Sequence, residues 1–423
     1  MSDLIIDDVL IISADVEQIN NRAYKDNKNI KYIEFEPRSN NLTLTIGKYA
    51  FQNCDLNGEL VIPEFVIKIG DYAFENNINL MAIEFESRNN NLSLSIGDHA
   101  FQECDLIELI IPKFITKIGK RSFHNNENLT KIHFEHREDL TEDLTEDLTE
   151  DLTEDLTEIE KKYKYYYKIK NDINLIIEYG AFSGCDLEEL VIPPFIKNIE
   201  GCAFDENTNL KSIKFEPRVN NLKLLIGNCV FCHCDITEII FPSFIIEIGA
   251  WAFILNKNLT SVKFEPRLEN IIIGQYAFLS CNITGEFIIP KYVSTIERGA
   301  FAKNKNLTAI IFEPRDNNLE LIINNYAFYR CNIQELMIPS FVKHIGASVF
   351  EKNDQLSKII IPSHIIGENY EFNDDDNDGY DEYYLDEYED DENEDDEYLP
   401  YNKYNYKDVI FGDTNSETEF IIV

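Results

Sequence analysis

The chain has no run of eighteen apolar residues, so no transmembrane helix of ordinary length is expected. Its first eight residues are acidic and have no basic stretch ahead of an apolar core, so the start does not read as a secretory signal. Positive charge is scarce: 38 Lys and Arg stand against 77 Asp and Glu, a net charge of −39. Such a balance argues against nucleic acid or an anionic membrane as partner. The seven histidines are scattered, none within a hydrolase or metalloprotease motif, and no Gly-rich phosphate loop is present. The expectation is a non-enzymatic protein that needs no cofactor.

What the chain has in abundance is repetition. A Phe-Glu-Xaa-Arg-like step returns at Phe35, Phe85, Phe134, Phe215, Phe264 and Phe312, with spacings of 50, 49, 81, 49 and 48 residues. Self-similarity at a fixed period indicates stacked units in place of one globular core. Each unit splits into two halves around a second phenylalanine, at Phe51, Phe74, Phe101, Phe123, Phe182, Phe204, Phe231, Phe253, Phe278, Phe301, Phe328 and Phe350. Three residues later one half carries Cys54, Cys104, Cys185, Cys234, Cys281 or Cys331. The other carries Asn77, Asn126, Asn207, Asn256, Asn304 or Asn353. Stacking would superpose these residues in a buried column of alternating thiol and amide, the amide satisfying backbone groups in the turn.

These residues carry a family resemblance. Leu60-Val-Ile-Pro-Glu-Phe-Val-Ile-Lys-Ile-Gly-Asp-Tyr-Ala-Phe74 and Leu336-Met-Ile-Pro-Ser-Phe-Val-Lys-His-Ile-Gly-Ala-Ser-Val-Phe350 resemble the BspA-like class of leucine-rich repeat, over residues 8–367 apart from one insertion. The resemblance implies an α/β leucine-rich-repeat solenoid. About 13–14 short rungs would form a parallel β-sheet, with short helical or 3₁₀ turns on the opposite side. It also implies a surface or adhesion protein that binds an unidentified protein partner. The repeat is a scaffold and does not itself define a site.

Within a rung, period-2 alternation marks a strand at Leu60-Val-Ile62, and Pro63 ends it because proline cannot donate to a ladder. The outward positions of such strands are the candidate partner-binding stripe: Val61, Ile110, Val191, Ile240, Ile288 and Met337. Each lies two residues after Glu59, Glu108, Glu189, Glu238, Glu286 or Glu335. In the alternate rungs the outward residues are Glu34, Glu84, His133, Lys214, Lys263 and Ile311, drifting from acidic to basic. The recurring Glu-Xaa-Arg corner, as at Glu86 and Arg88, reads as a stacked ion-pair ladder. Six copies do not suit catalysis, which needs one asymmetric site.

The chain divides into 1–137, an atypical N-terminal cap and repeats; 138–170, an insertion; 171–367, further repeats; 368–400, an acidic tail expected to be disordered; and 401–423, a C-terminal segment. In the opening rung Ser13 and Tyr24 replace the usual proline and phenylalanine, as suits a capping rung. The insertion repeats Asp139-Leu-Thr-Glu142 five times and closes on a basic, tyrosine-rich stretch, Lys161–Lys170. The Asp-Leu-Thr-Glu run and residues 368–399 together hold −28 of the charge, leaving −11 for the rest. Capture of basic proteins by these acidic segments is therefore the alternative function. Asp374-Asp-Asp-Asn-Asp378 imitates half of a calcium loop, but the twelfth position is Leu385, so an EF-hand is not expected. The C-terminal strands Asp408–Phe411 and Thr418–Val423 are expected to return and cover the open end of the sheet.

Cys229-Val-Phe-Cys-His-Cys234 resembles a metal cluster. Cys234 belongs to the ladder, however, and a structural zinc site would need four convergent ligands and a second cysteine pair. Nine cysteines, six of them in a regular column, indicate reduced thiols and a reducing compartment. The family resemblance points to a surface, so localisation stays open between the two.

Overall fold

A computed structural model describes residues 4–38, 42–88, 92–135, 175–218, 223–315, 319–366, 410–412 and 418–423. The insertion 138–170 and the acidic tail 368–400, with its calcium-like Asp374–Asp378 segment, lie outside these residues.

The core comes from apolar residues on three sides of every rung. In one rung Leu60 and Ile62 point inward from the first strand, Val66 and Ile69 from the second, and Ala73 and Phe74 from the turn that follows. All six are nearly fully buried. Stacking equal rungs joins them into one continuous core running the length of the molecule.

The Phe74 position forms its spine. Tyr24, Phe51, Phe74, Phe101, Phe123 and Phe182 stack with centroid separations of 5.1 to 5.5 Å. The column continues through Phe204, Phe231, Phe253, Phe278, Phe301, Phe328 and Phe350 to Phe411. Each buried ring contributes on the order of 2–3 kcal/mol through its area.

Thirteen parallel strands make the continuous sheet, in an order that starts at Gln18–Ile19, passes Leu44–Ile46, Val66–Ile69 and Leu94–Ile96, and ends at Val342–Ile345. At about 4.8 Å per strand this sheet is about 60 Å long. These are the strands just before the turn, not those of the Leu60-Val-Ile62 kind. Three-residue strands alternate with four-residue ones, and a bulge absorbs the extra residue: Leu44 pairs with Val66, but Thr45 pairs with Lys68.

The Leu60-type strands instead pair mainly two by two, Asn57–Ile62 with Asn79–Phe85 and Glu108–Ile111 with Lys131–Phe134. A five-stranded sheet forms only near the C-terminal end, through Gly285–Ile289, Leu307–Phe312, Glu335–Met337, Lys358–Ile361 and Glu419–Ile422. Between two pairs the link passes through Asp105 and Ile107 N–H groups, which donate to the Leu80 and Met81 carbonyls.

The third side corrects the expected α/β class. Among the described residues, helix is confined to Ser363–Ile366 and to 410–411, and the solenoid is β-strand and turn throughout. The reason lies in the backbone. Tyr49 and Asn53 adopt φ of +58° and +57°, and the same two positions recur with positive φ along the stack. A left-handed residue every few positions stops a right-handed helix. Alternate N–H groups are also committed to the next rung: Tyr49, Phe51 and Asn53 donate to the carbonyls of Asp71, Ala73 and Glu75. Glycine opens the turn where rungs approach most closely. A Cβ on Gly70 would lie 2.7 Å from the Gly47 carbonyl carbon.

Both ends of the column have specific neighbours. Leu4–Ile6 folds back antiparallel on Val9–Ile12 through Asp7 and Asp8, both with positive φ, which suits a two-residue hairpin turn. At the other end Glu419–Ile422 pairs in parallel with Lys358–Ile361, and Phe411 stacks on Phe350 at 5.6 Å.

Candidate interaction surface

The column three residues after each phenylalanine shows why amide and thiol alternate. Asn77 is fully buried. Its Nδ2 donates to the carbonyls of Phe51, one rung back, and Phe74, in its own rung, at 3.0 and 2.7 Å. Its Oδ1 accepts the N–H groups of Asp55 and Leu56 at 2.9 and 3.0 Å. Cys104, one rung on, needs only to add a weak S–H bond to the Phe74 carbonyl, at 3.4 Å. The pattern repeats at Asn126, Asn207, Asn256, Asn304 and Asn353. Burial pushes the ladder thiols up, to about 11 for Cys54 and about 12 for Cys104, Cys185 and Cys331. They are neutral packing groups, inert as nucleophiles.

The Glu-Xaa-Arg corners also serve the backbone, which corrects the ion-pair reading. Arg88 donates to the Val66 carbonyl and lies 4.2 Å over the Phe114 ring; Arg38 does the same at Val16 and Phe65, and Arg315 at Val293 and Phe341. Glu86 accepts the Glu64 N–H at 3.2 Å and Glu313 the Lys291 N–H at 3.0 Å. Burial holds the Arg88 guanidinium below its usual range, at about 10. Among the described corners, Arg38, Arg88, Arg218, Arg267 and Arg315 each donate to a main-chain carbonyl of the preceding rung.

The candidate stripe lies on the outside of the paired strands. Ile110, Val191, Ile240, Ile288 and Met337 are exposed, Met337 by 63%, while Val61 is half-buried. Glu59, Glu108, Glu189, Glu238, Glu286 and Glu335 are exposed along the same edge. Parallel pairing sets the neighbour of each apolar residue. Val61 sits beside Glu84, Ile110 beside His133, Val191 beside Lys214, and Ile240 beside Lys263. Over these strands the stripe is interrupted by charged or polar side chains. From Ile288 onward the interruptions end. Ile288 pairs with Ile311, Ala309 pairs with Glu335 and so brings Ile311 beside Met337, and Met337 pairs with Ile360 and Ile360 with Ile421.

The ridge Ile288–Ile311–Met337–Ile360–Ile421 therefore crosses five adjacent strands. Three of its members, Ile311, Ile360 and Ile421, lie outside the candidate stripe, Ile311 being read only as an outward residue of the alternate rungs. The register of Ile359-Ile-Ile-Pro362 against Leu336-Met-Ile-Pro339 carries the signal for Ile360. Nothing local in the sequence marks Ile421, which reaches the ridge only when the terminal strand pairs.

Among the described residues, no group of three His, Cys, Asp or Glu side chains is disposed to hold a metal ion, and no helix is long and apolar enough to cross a membrane. Cys229-Val-Phe-Cys-His-Cys234 is divided between two environments: Cys234 is buried in the ladder, whereas Cys229 and Cys232 are half-buried on the outer side of the turn.

The stacked rungs, bulged parallel sheet and ladder columns define a β-solenoid repeat protein. The model of the BspA type leucine rich repeat region matches residues 8–130, 44–159, 175–284 and 271–374, so the chain belongs to that family. A leucine-rich repeat protein from Bacteroides ovatus has a similar structure, with a TM-score of 0.61 and 19% identity over 98% of this chain and 94% of that one. At this identity the similarity establishes the fold alone. The pneumococcal vaccine antigen PcpA aligns over 86% of this chain and 79% of its own at 17% identity, with a TM-score of 0.42. A leucine-rich repeat protein from Eubacterium ventriosum aligns over 88% and 89% at 16% identity, with a TM-score of 0.41. No curated protein sequence matches the chain.

Proposed function

We propose that the protein is a non-enzymatic interaction scaffold, of the kind that mediates adhesion, and that it engages a protein partner through the outer face of its paired strands. The observation that carries this reading is the apolar ridge from Ile288 to Ile421, exposed at Ile288, Ile311 and Met337 and half-buried at Ile360 and Ile421. Contiguous exposed apolar surface rimmed by polar residues marks interaction sites more often than scattered exposed residues do. Glu286 and Glu335 supply such a rim. The family match supports a scaffold role because repeats present extended binding faces.

The test compares two triple variants of the full chain in a pull-down at high salt. Ile288→Glu, Ile311→Glu and Met337→Glu together should reduce partner retention by more than about tenfold, as expected for loss of a desolvated interface centre. Val61→Glu, Ile110→Glu and Ile240→Glu, on strands where charge already interrupts the stripe, should leave it nearly unchanged. Both sets should fold: five of the six positions are exposed, where substitutions usually change stability by about 0.5 kcal/mol or less each, and the half-buried Val61 lies on the outer face of its strand. Equal retention by both variants would sink the ridge.

The −28 charge of the Asp-Leu-Thr-Glu run and residues 368–399 favours a second reading, capture of basic proteins. Binding of that kind would vanish at high salt and survive both triple variants. Amidating the tail carboxylates by Glu→Gln and Asp→Asn substitution tests it better than truncation, because residues 410–423 contribute Phe411 and a paired strand to the last rung.

A further inference from the structure

Three of the nine cysteines lie outside the buried ladder. Cys202, Cys229 and Cys232 are half-buried on the outer side of the turn face, whereas the other six are buried. Cys202 and Cys229 occupy the same position of consecutive rungs: Gly201-Cys-Ala-Phe204 and Asn228-Cys-Val-Phe231 align residue for residue. Both have φ of +56°, and the Cys202 N–H donates to the Asn228 carbonyl at 2.8 Å. Side chains at this position lie directly over one another. In earlier rungs it is filled by Tyr49, Tyr72 and His99, whose rings stack at 4.8 and 4.4 Å. Consecutive parallel strands are about 4.8 Å apart, within the Cα separation of about 4.4–6.8 Å that a disulfide spans.

The surroundings favour one member of the pair as a thiolate. The Tyr179 hydroxyl lies 3.4 Å from Cys202 Sγ. Gly180, with φ of +63°, fills the equivalent position one rung back, and Arg121 crosses the space its missing side chain leaves; a Cβ there would lie 3.0 Å from Arg121 Cγ. Asp205 and Cys232 form the next layer of the same two rungs, and Glu206 adds a further negative charge. Hydrogen bonds from Cys229 and Tyr179, aided by the Arg121 charge and opposed by burial, bring Cys202 down to about 6. The same contact and burial push Cys229 upward. Burial and the Cys202 charge raise Asp205 to about 7.

We propose that Cys202 and Cys229 are a peroxide-oxidisable dithiol, closing to a disulfide between adjacent rungs. Cys202 Sγ attacks one oxygen of hydrogen peroxide and breaks the O–O bond, leaving a sulfenic acid on Cys202 and a hydroxide that takes up a proton to become water. Oxidation removes the Cys202 thiolate whose contact and charge hold the proton on Cys229, and Cys229 Sγ then attacks the Cys202 sulfur, its proton leaving with the displaced oxygen as a second water. Two thiols lose two electrons and two protons, and the peroxide is reduced to two waters. A low-pKa, accessible thiol beside a second thiol has the properties this chemistry requires. The inference is independent of the ridge and of any partner.

The test treats the reduced full chain with a small excess of hydrogen peroxide and maps its peptides by mass spectrometry. The expected product is a Cys202–Cys229 cross-linked peptide two hydrogens lighter than its parts, formed at least about tenfold faster than any change at the ladder cysteines. In Cys229→Ser the sulfenic acid should persist and be trapped on Cys202 by a 1,3-dicarbonyl reagent; in Cys202→Ser neither cross-link nor adduct should form. Alkylation of Cys202 in the wild-type chain should reach half its plateau rate near pH 6, the value its neighbours set. An alkylation midpoint near the ordinary thiol value of about 8.5, absence of the Cys202–Cys229 peptide, or linkage of Cys232 in its place would overturn the proposal. The wild-type measurements decide it even if a variant fails to fold.

Discussion

Replacing Asn207 by alanine is expected to destabilise the middle of the solenoid by about 3–6 kcal/mol, more than any single ladder cysteine replacement. Asn207 is fully buried, and its Nδ2 donates to the Phe182 and Phe204 carbonyls at 2.9 Å each. Its Oδ1 accepts the Leu187 N–H at 3.2 Å. Alanine leaves those three backbone groups without this partner, where water cannot reach, at about 1–3 kcal/mol for each group left unsatisfied. Only the Phe204 carbonyl retains another donor, Cys234 Sγ at 3.4 Å. Cys234→Ala removes one weak bond to a carbonyl that Asn207 already serves, and leaves a small cavity. That should cost about 1–2 kcal/mol. Urea titration followed by far-ultraviolet circular dichroism compares the two. The Asn207→Ala transition should also broaden, because a weak rung uncouples the arrays on either side of it. A loss no larger than that of Cys234→Ala would refute the assignment of the amide as the main staple between rungs.

The second large effect is alkaline unfolding driven by the thiol column. In the unfolded chain these cysteines ionise near the ordinary value of about 8.5. In the fold, burial keeps Cys54 neutral to about 11 and Cys104, Cys185 and Cys331 to about 12, and pushes Cys234 and Cys281 up as well. Between those limits the folded state holds more protons than the unfolded state. Stability is therefore intact below about pH 8.5 and falls as pH rises towards the folded values. Each thiol contributes a slope of about 1.4 kcal/mol per pH unit, and six together roughly 8 kcal/mol per unit. Domains commonly have about 5–15 kcal/mol in total, so the urea midpoint should collapse between about pH 9 and pH 11. A midpoint unchanged to pH 10.5 would mean that the column ionises without unfolding, contrary to its burial.

Much of the fold is legible in the chain because repetition amplifies weak local signals. The Phe51–Phe350 series, the Cys and Asn columns and the Leu60-Val-Ile-Pro63 strands each recur many times, so period and inward face can be read without coordinates. The misreadings share one cause. Ile-Gly-Xaa-Xaa-Ala-Phe has the composition of a helical turn, but φ signs and donors to the next rung are invisible in a single repeat. Glu86 and Arg88 look like charge partners because the sequence lists side chains and omits the main-chain groups they serve. The compact Cys229–Cys234 cluster draws the eye away from Cys202, which shares with Cys229 the position before Ala203-Phe204 and Val230-Phe231 and meets it only when the rungs stack.

The candidate stripe divides in the same way. That Ile110, Ile240 and Met337 face outward follows from alternation alone. Which residues lie beside them depends on pairing between rungs, and this separates a stripe broken by Glu84, His133, Lys214 and Lys263 from an unbroken ridge at the C-terminal end. Covalent order is enough to establish that equal units stack, because every rung must bury Leu, Ile and Phe at the same offsets. Only the tertiary structure decides which strand of each rung builds the long sheet, since that depends on whether bulges can reconcile three-residue strands with four-residue ones. It also decides that Ile421 joins Ile360 across more than fifty intervening residues, because such a contact is made by hydrogen bonds between strands that no local pattern connects.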